Sequence, residues 1–238
     1  MKKYVLTNDT IKIGRKTLHR IVALKAFSNV KIGDLGGYVE SESNLSQEGD
    51  CWVDDNARVY DNAEVYGNAH VYDNADVYGN ARVHGNAEVC GNARVYGNAD
   101  VKEDVKVYDN ALVYDEADLF GLAEIYDNAQ IYGRACIFGT VCENAKVYGV
   151  CTISGNSYID SNANIGGYQD YGTIDGFGPN NRDNISFFKL SGGDIRVYSI
   201  GGFDGTLEEF ETFINTMEDV KYSIQYELIA ALIKTKFM

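Results

Sequence analysis

The residues of this chain that can do chemistry are three histidines, five cysteines and a group of rings and cations towards the C-terminal end. A histidine acts as a general base when a second group orients it and a pocket holds substrate beside it. His70 and His84 fall at outward positions of a repeat, on different faces, and His19 lies in the N-terminal segment. No loop insertion stands beside either repeat histidine to roof a cleft. Tyr168, Tyr171, Arg182, Lys189 and Arg196 combine aromatic faces with cations among flexible glycines. Phosphate and base recognition use that combination, so these five are the candidate ligand-binding residues for a small nucleotide. Cys51, Cys90, Cys136, Cys142 and Cys151 are odd in number and lack CxxC spacing, which reads as free thiols and no metal site. No glycine-rich phosphate loop sits between a strand and a helix, so nucleotide hydrolysis and a bound cofactor are not expected.

What must position these groups is a six-residue unit, Val-Tyr-(Gly or Asp)-Asn-Ala-x. Aliphatic residues fall at every sixth position from Val53 to Ile137, and again from Val141 to Ile165. Four places after each comes a small residue, Ala57, Ala63, Ala69 and onward, with Val105 the bulky exception before the break near residue 140. A fixed period of this kind marks a solenoid, in which each unit buries its apolar side only against its neighbours. Six residues suit a short strand and a corner. Ala-x-Val-Tyr is predicted to be extended, with Ala and Val inward and x and Tyr outward. The Gly-Asn or Asp-Asn pair makes the bend, because these residues tolerate the left-handed backbone of a tight corner.

Three such hexads make one triangular coil, so residues eighteen apart stack on one face. The outward aromatic position then gives an unbroken ladder of Tyr60, Tyr78, Tyr96, Tyr114 and Tyr132, continued by Tyr148. A second face carries Tyr66, His84, Lys102, Phe120 and Phe138, and a third Tyr72, Cys90, Tyr108 and Tyr126. A long aromatic strip either stabilises the surface or covers itself against another copy. The five tyrosines from Tyr60 to Tyr132 are therefore the candidate interface of a homo-oligomer.

This pattern resembles the hexapeptide-repeat family, whose fold is the left-handed parallel β-helix, over roughly residues 39–170. More narrowly, the chain resembles phage and prophage hexapeptide-repeat proteins, labelled polymer-forming or acyltransferase-like. The resemblance rests on Asp34-Leu-Gly-Gly-Tyr-Val39, Leu45-Ser-Gln-Glu-Gly-Asp-Cys-Trp52 and Gly205-Thr-Leu-Glu-Glu-Phe210. It implies a homotrimer, and for an enzyme it implies acyl transfer with His70 or His84 as the base in a cleft between subunits. The phage likeness implies a counter-defence role, by sequestering a nucleotide signal or masking a host protein. A structural spacer or virion component is a further alternative.

The formal charge of −14 is unevenly spread. Residues 1–33 hold eight Lys or Arg against the single acid Asp9, about +7, and the other 205 residues hold 13 against 34 acids, about −21. An acidic body disfavours direct binding to nucleic acid or to an anionic membrane. No apolar run reaches the eighteen or so residues of a membrane span. The basic start lacks the apolar core of a secretory signal. A soluble, cytoplasmic protein is expected, in the host cytoplasm if phage-encoded.

At the N-terminal end, Tyr4–Ile13 reads as a strand with Thr7-Asn8-Asp9 as a turn, and Leu18–Phe27 as a second strand, the two forming a β cap over residues 1–38. Val39 and Leu45 are out of phase with Val53, so two extra residues bulge from an early corner near Gly49-Asp50-Cys51-Trp52. Trp52 is expected to pack over that imperfect coil. Between Ile137 and Val141 two residues are missing and a corner is cut short. The Gly-rich stretch from Gly166 to Gly178 reads as a boundary, and residues 171–238 as a small α+β module. In it Ile185–Leu190 and Ile195–Ile200 form a hairpin, and Thr206-Leu-Glu-Glu209 is a capping box opening a helix. A second helix carries Ile224, Leu228, Ile229, Leu232 and Ile233 as a core stripe.

Overall fold

The computed structural model describes residues 2–179, 183–199 and 201–238. Arg182, one of the expected ligand-binding residues, lies outside them. The chain is mainly β. Strands β1 (Tyr4–Ile13), β2 (Lys16–Ala23) and β3 (Leu35–Val39) precede twenty two-residue strands, from Trp52–Val53 to Asn164–Ile165. These twenty form three parallel sheets, in which Val59 pairs with Val77, Val71 with Val89 and Val65 with Val83. Partners eighteen apart confirm three hexads per coil, and the seven-stranded sheet sets about seven coils. Both phase slips appear as altered register. Leu45 bridges Val65 and Val39 pairs with Val59, twenty residues on, whereas Ile125 pairs with Val141, sixteen on.

Every inward aliphatic and small residue of the hexads from Ala57 to Val147 is essentially fully buried. The core is a column of alternating Val and Ala layers. Three backbone bonds tie each hexad to the next coil, as where Arg58, Tyr60 and Asn62 donate to the carbonyls of Ala75, Val77 and Gly79 at 2.9, 3.1 and 2.8 Å. At the corners the Gly-or-Asp position alone takes the left-handed backbone, with φ of 57° at Asp73, 66° at Gly91 and 56° at Asp109. Its own N–H points outward. Where an acid occupies the same corner one coil earlier, its carboxylate accepts that N–H, as Asp73 does from Gly91 at 3.1 Å and Glu103 from Gly121 at 2.7 Å. Eight carboxylates between Asp55 and Glu143 act at corners in this way. The Asn beside it stacks instead, with Asn62, Asn80 and Asn98 amide-bonded in a row at 3.0 Å.

Strands β1 and β2 pair antiparallel, β2 pairs antiparallel with β3, and β3 runs parallel to Arg58–Val59, so the first coil's edge is covered. Thr7-Asn8-Asp9 is not a turn. The strand runs through it, and the segment appears as a register shift between Leu6 and Thr10. Trp52 is buried, with Tyr4 and Phe27 packed edge-on at 6.3 and 5.4 Å. Glycine is required at Gly36, where a Cβ would lie 2.5 Å from the Val53 carbonyl oxygen.

A four-stranded antiparallel sheet closes the other end: Tyr171–Phe177, Asp183–Lys189, Ile195–Ser199 and Phe203–Thr206, in that order. Its register puts Ser186, Phe188, Arg196 and Tyr198 on one face, with Ile185, Phe187 and Val197 on the other. The first face meets the last coil, where Phe188 joins the column's core and Tyr198 stacks on Tyr158 at 4.6 Å. The second packs on helices α1 (Leu207–Ile214) and α2 (Val220–Phe237) in a separate core. Thr206 and Glu209 form the expected capping box, and Asp219 caps α2. The Gly-rich stretch contributes an edge strand, Tyr171–Phe177, rather than only a linker.

Candidate functional site

His70 and His84 stand on different sheets, as their repeat positions require. The His70 ring tilts against Tyr72 at 4.8 Å. His84 stacks on Tyr66 at 4.5 Å, and its Nε2 lies 3.2 Å from Asp100. Asp100 is an orienting carboxylate that sequence reading missed, because it sits sixteen residues on and reaches His84 only through the coil. It is shared with Arg82 at 3.3 Å and Lys102 at 3.2 Å, so it belongs to an outward ion-pair network.

The tyrosine ladder is continuous from Tyr60 to Tyr148. Successive centroids lie 4.8–5.0 Å apart and the ring planes differ by 2–8°. The rings are half-buried, their faces covered by one another and their edges outward. Burial, then the charges of Asp76 and Tyr78, push the Tyr60 phenol up to about 12. Burial, then Tyr132 and Tyr96, does the same to Tyr114, also to about 12. The row beside the ladder reads Arg58, Asp76, Arg94, Leu112, Gln130 and Lys146, three cations against one acid. The corner preceding the same sheet carries Asp55, Asp73, Asp109, Asp127 and Glu143.

The four described ligand-binding candidates are not brought together. Tyr168 is exposed in a loop, and its carbonyl accepts from Lys236 at 2.9 Å. Tyr171 is buried, its hydroxyl bonded to Ser154 at 3.0 Å and to Ser157. Lys189 and Arg196 project from opposite faces of the sheet. Lys189 lies over the Phe237 ring at 5.4 Å and 3.7 Å from Asp170. Arg196 lies 3.3 Å from buried Asp160 and 2.8 Å from Asp204. Burial pushes the Asp160 carboxyl up, and Arg196 opposes the shift. These cations join the module to the column.

Two features of the module were not foreseen. The first is a cavity of about 490 Å³ between the sheet and α2, lined by Phe213, Met217, Tyr222 and Tyr226 with Asp183 at its floor. Asp183 is buried and accepts from Ser199 at 2.7 and 2.8 Å, from the Gly201 N–H at 2.6 Å and from the Tyr226 hydroxyl. Among the described residues the lining holds three carboxylates, Asp183, Glu218 and Asp219, and no cation. The second is α2 itself. Its predicted core stripe is two stripes: Ile229 and Ile233 are buried with Tyr226 and Ala230, whereas Val220, Ile224, Leu228 and Leu232 are 69%, 51%, 67% and 53% exposed. The outer four recur every fourth residue, and Leu228 and Leu232 border a hollow of about 310 Å³ lined also by Ile174 and Phe177 of the edge strand. A count of apolar residues by helical angle separates the two sets, and that signal was in the sequence.

A family model described as YdcK beta solenoid repeat matches residues 57–73. The chain is a repeat β-solenoid protein. The match spans one short stretch of hexads, and the parallel coils continue the β-solenoid fold along the rest of the column. No curated protein matches the chain. No helix among the described residues is long and apolar enough to cross a membrane.

Proposed function

We propose that the protein is a non-catalytic binding protein that masks a partner protein with its C-terminal module, carried on a rigid, self-associating solenoid. The observation that carries this reading is the outer stripe of α2. A helix apolar on both sides is ordinarily covered on both, and Val220, Ile224, Leu228 and Leu232 form a row that is open in the monomer. The edge strand Tyr171–Phe177 beside it offers unpaired backbone to the same partner. Self-association is supported by the charge of the ladder face, which runs at the same coil spacing as the acidic corner of a second copy. The likeness to phage proteins makes a host defence factor in the cytoplasm the candidate partner.

The sequestering of a nucleotide signal is the weaker reading, because the described cavity lining is acidic and repels phosphate. Acyl transfer would centre on His84 and Asp100, whose carboxylate is shared with Arg82 and Lys102. The experiment is capture of host protein on wild-type bait, purification of what is retained, and calorimetry of that protein against wild type and a Leu228→Lys, Leu232→Lys variant. At least a tenfold loss in the variant, with unchanged circular dichroism, supports masking. Equal binding overturns it. Tight binding of a cyclic or ADP-ribose-type nucleotide, lost on Arg182→Ala or Arg196→Ala, or amine acetylation lost on His84→Ala or His70→Ala, replaces it.

A further inference from the structure

Lys3 is fully buried, and among the described residues no carboxylate forms an ion pair with it. Its ammonium points into the bulge of the first coil. Nζ donates to the Cys51 carbonyl at 2.8 Å, lies 3.3 Å from the carbonyls of Glu48 and Gly49, and is 3.1 Å from Cys51 Sγ. The Phe27 ring covers it at 5.2 Å. The same segment holds the backbone of β1, since Gln47 Oε1 accepts the Lys3 N–H at 2.8 Å and the Leu45 carbonyl accepts the Tyr4 hydroxyl at 2.6 Å. The two extra residues that break the hexad phase thus wrap one amine and one thiol.

A buried ammonium is ordinarily accompanied by a carboxylate. Among the described residues, the ionisable side chain within hydrogen-bond reach of Nζ is the Cys51 thiol, itself fully buried. Burial pushes that thiol up while the Lys3 charge opposes the shift. A covalent link between nitrogen and sulfur would remove the buried charge and keep the packing.

We propose that Lys3 and Cys51 are a site of oxidative cross-linking, at which peroxide joins Nζ to Sγ through one oxygen atom. In the first step one hydrogen peroxide converts the thiol to a sulfenic acid and leaves one water, with sulfur losing two electrons. In the second, a second peroxide removes two electrons as the sulfenic oxygen bonds to nitrogen. The sulfenic hydrogen and one amine hydrogen leave with the peroxide oxygens as two waters. The sum is thiol, amine and two peroxides giving S–O–NH and three waters. Both groups are buried, so the oxidant reaches them when β1 opens transiently from the first coil. The bond would staple β1 to the first coil.

The test is peptide mass spectrometry of the whole protein after a graded hydrogen peroxide series. The expected product is one peptide joining Lys3 to Cys51, heavier by about 14 Da for one oxygen gained and two hydrogens lost. With ¹⁸O-labelled peroxide the same peptide gains about 2 Da more, because the bridging oxygen comes from the oxidant. Thermal unfolding should shift upward by several degrees, and neither change should occur in Lys3→Arg or Cys51→Ser. Cys51 recovered as a free thiol, or as sulfinic acid with Lys3 unlinked, overturns the proposal, as does a cross-link lacking the oxygen. The isotope readout uses wild-type protein, so it decides the matter even if both variants fail to fold.

Discussion

The rings of Tyr78 and Tyr96 lie 4.8 Å apart and 2° from parallel, although a whole coil of chain separates them. Offset stacking of this kind adds about 0.5–1.5 kcal/mol per pair beyond the area buried. Tyr96 stacks on both Tyr78 and Tyr114. Tyr96→Ala should therefore cost about 1–3 kcal/mol in denaturant unfolding, whereas Tyr96→Phe keeps both contacts and should cost little. Light scattering on Tyr96→Glu tests the oligomer reading: a lower mass than wild type places the ladder in an interface. An unchanged mass with lowered stability confines its role to one chain.

The same stacking predicts an alkaline transition. A phenol whose pKa is higher folded than unfolded contributes stability that is complete below the unfolded value and lost as pH rises through the folded one. Tyr60 and Tyr114 are pushed up to about 12, against an ordinary value of 10.0. Stability should hold to pH 10 and fall between pH 10 and 12. Tyrosinate absorbance should lag behind that of the urea-unfolded chain over that range. Coincident titration curves would show that the rings are solvated as free tyrosines are.

The corners offer a separate test, because their left-handed residue has two jobs. Asp109 holds φ of 56°, and its carboxylate accepts the Asp127 N–H at 3.3 Å. Asp109→Gly removes one exposed hydrogen bond, relaxes the backbone requirement, and should cost about 0.5–1 kcal/mol. Asp109→Val removes the bond and places a β-branched residue in the left-handed region, adding about 1–2 kcal/mol. If thermal melting ranks valine level with glycine, the corner is not held in that conformation.

Much of this architecture can be read in the residues because the hexad repeats so often that each inward position is tested many times. The two slips were readable for the same reason: Leu45 opposite Val65 and Ile125 opposite Val141 are what an insertion and a deletion of two residues must produce. Thr7-Asn8-Asp9 misled because turn-forming residues also suit an irregularity within a strand. The glycines before Pro179 misled because Gly172 serves packing, its absent side chain leaving room for the Phe187 ring 2.4 Å from where a Cβ would stand. The cations near the C-terminal end were legible as charge but not as partners. Asp160, which holds Arg196, lies thirty-six residues earlier, and only the docking of the sheet on the last coil joins them.

The last prediction concerns the column. Val95 is fully buried and lies between Val77 and Val113 in the parallel sheet. Val95→Asp puts a carboxylate where the surrounding groups are aliphatic side chains, alanine methyls and backbone amides already bonded to the next coil. An unpaired buried carboxylate costs several kcal/mol, and its protonated form still leaves polar atoms unbonded at about 1–3 kcal/mol. Val95→Thr, nearly the same shape with one hydroxyl, should fall between that and wild type. Each coil contacts only its neighbours, so the loss should concentrate around residues 77–113 in hydrogen exchange, with slower exchange kept near both ends. Uniform acceleration along the chain would instead make the solenoid one cooperative unit, and an unchanged melting temperature for Val95→Asp would contradict the inward register itself.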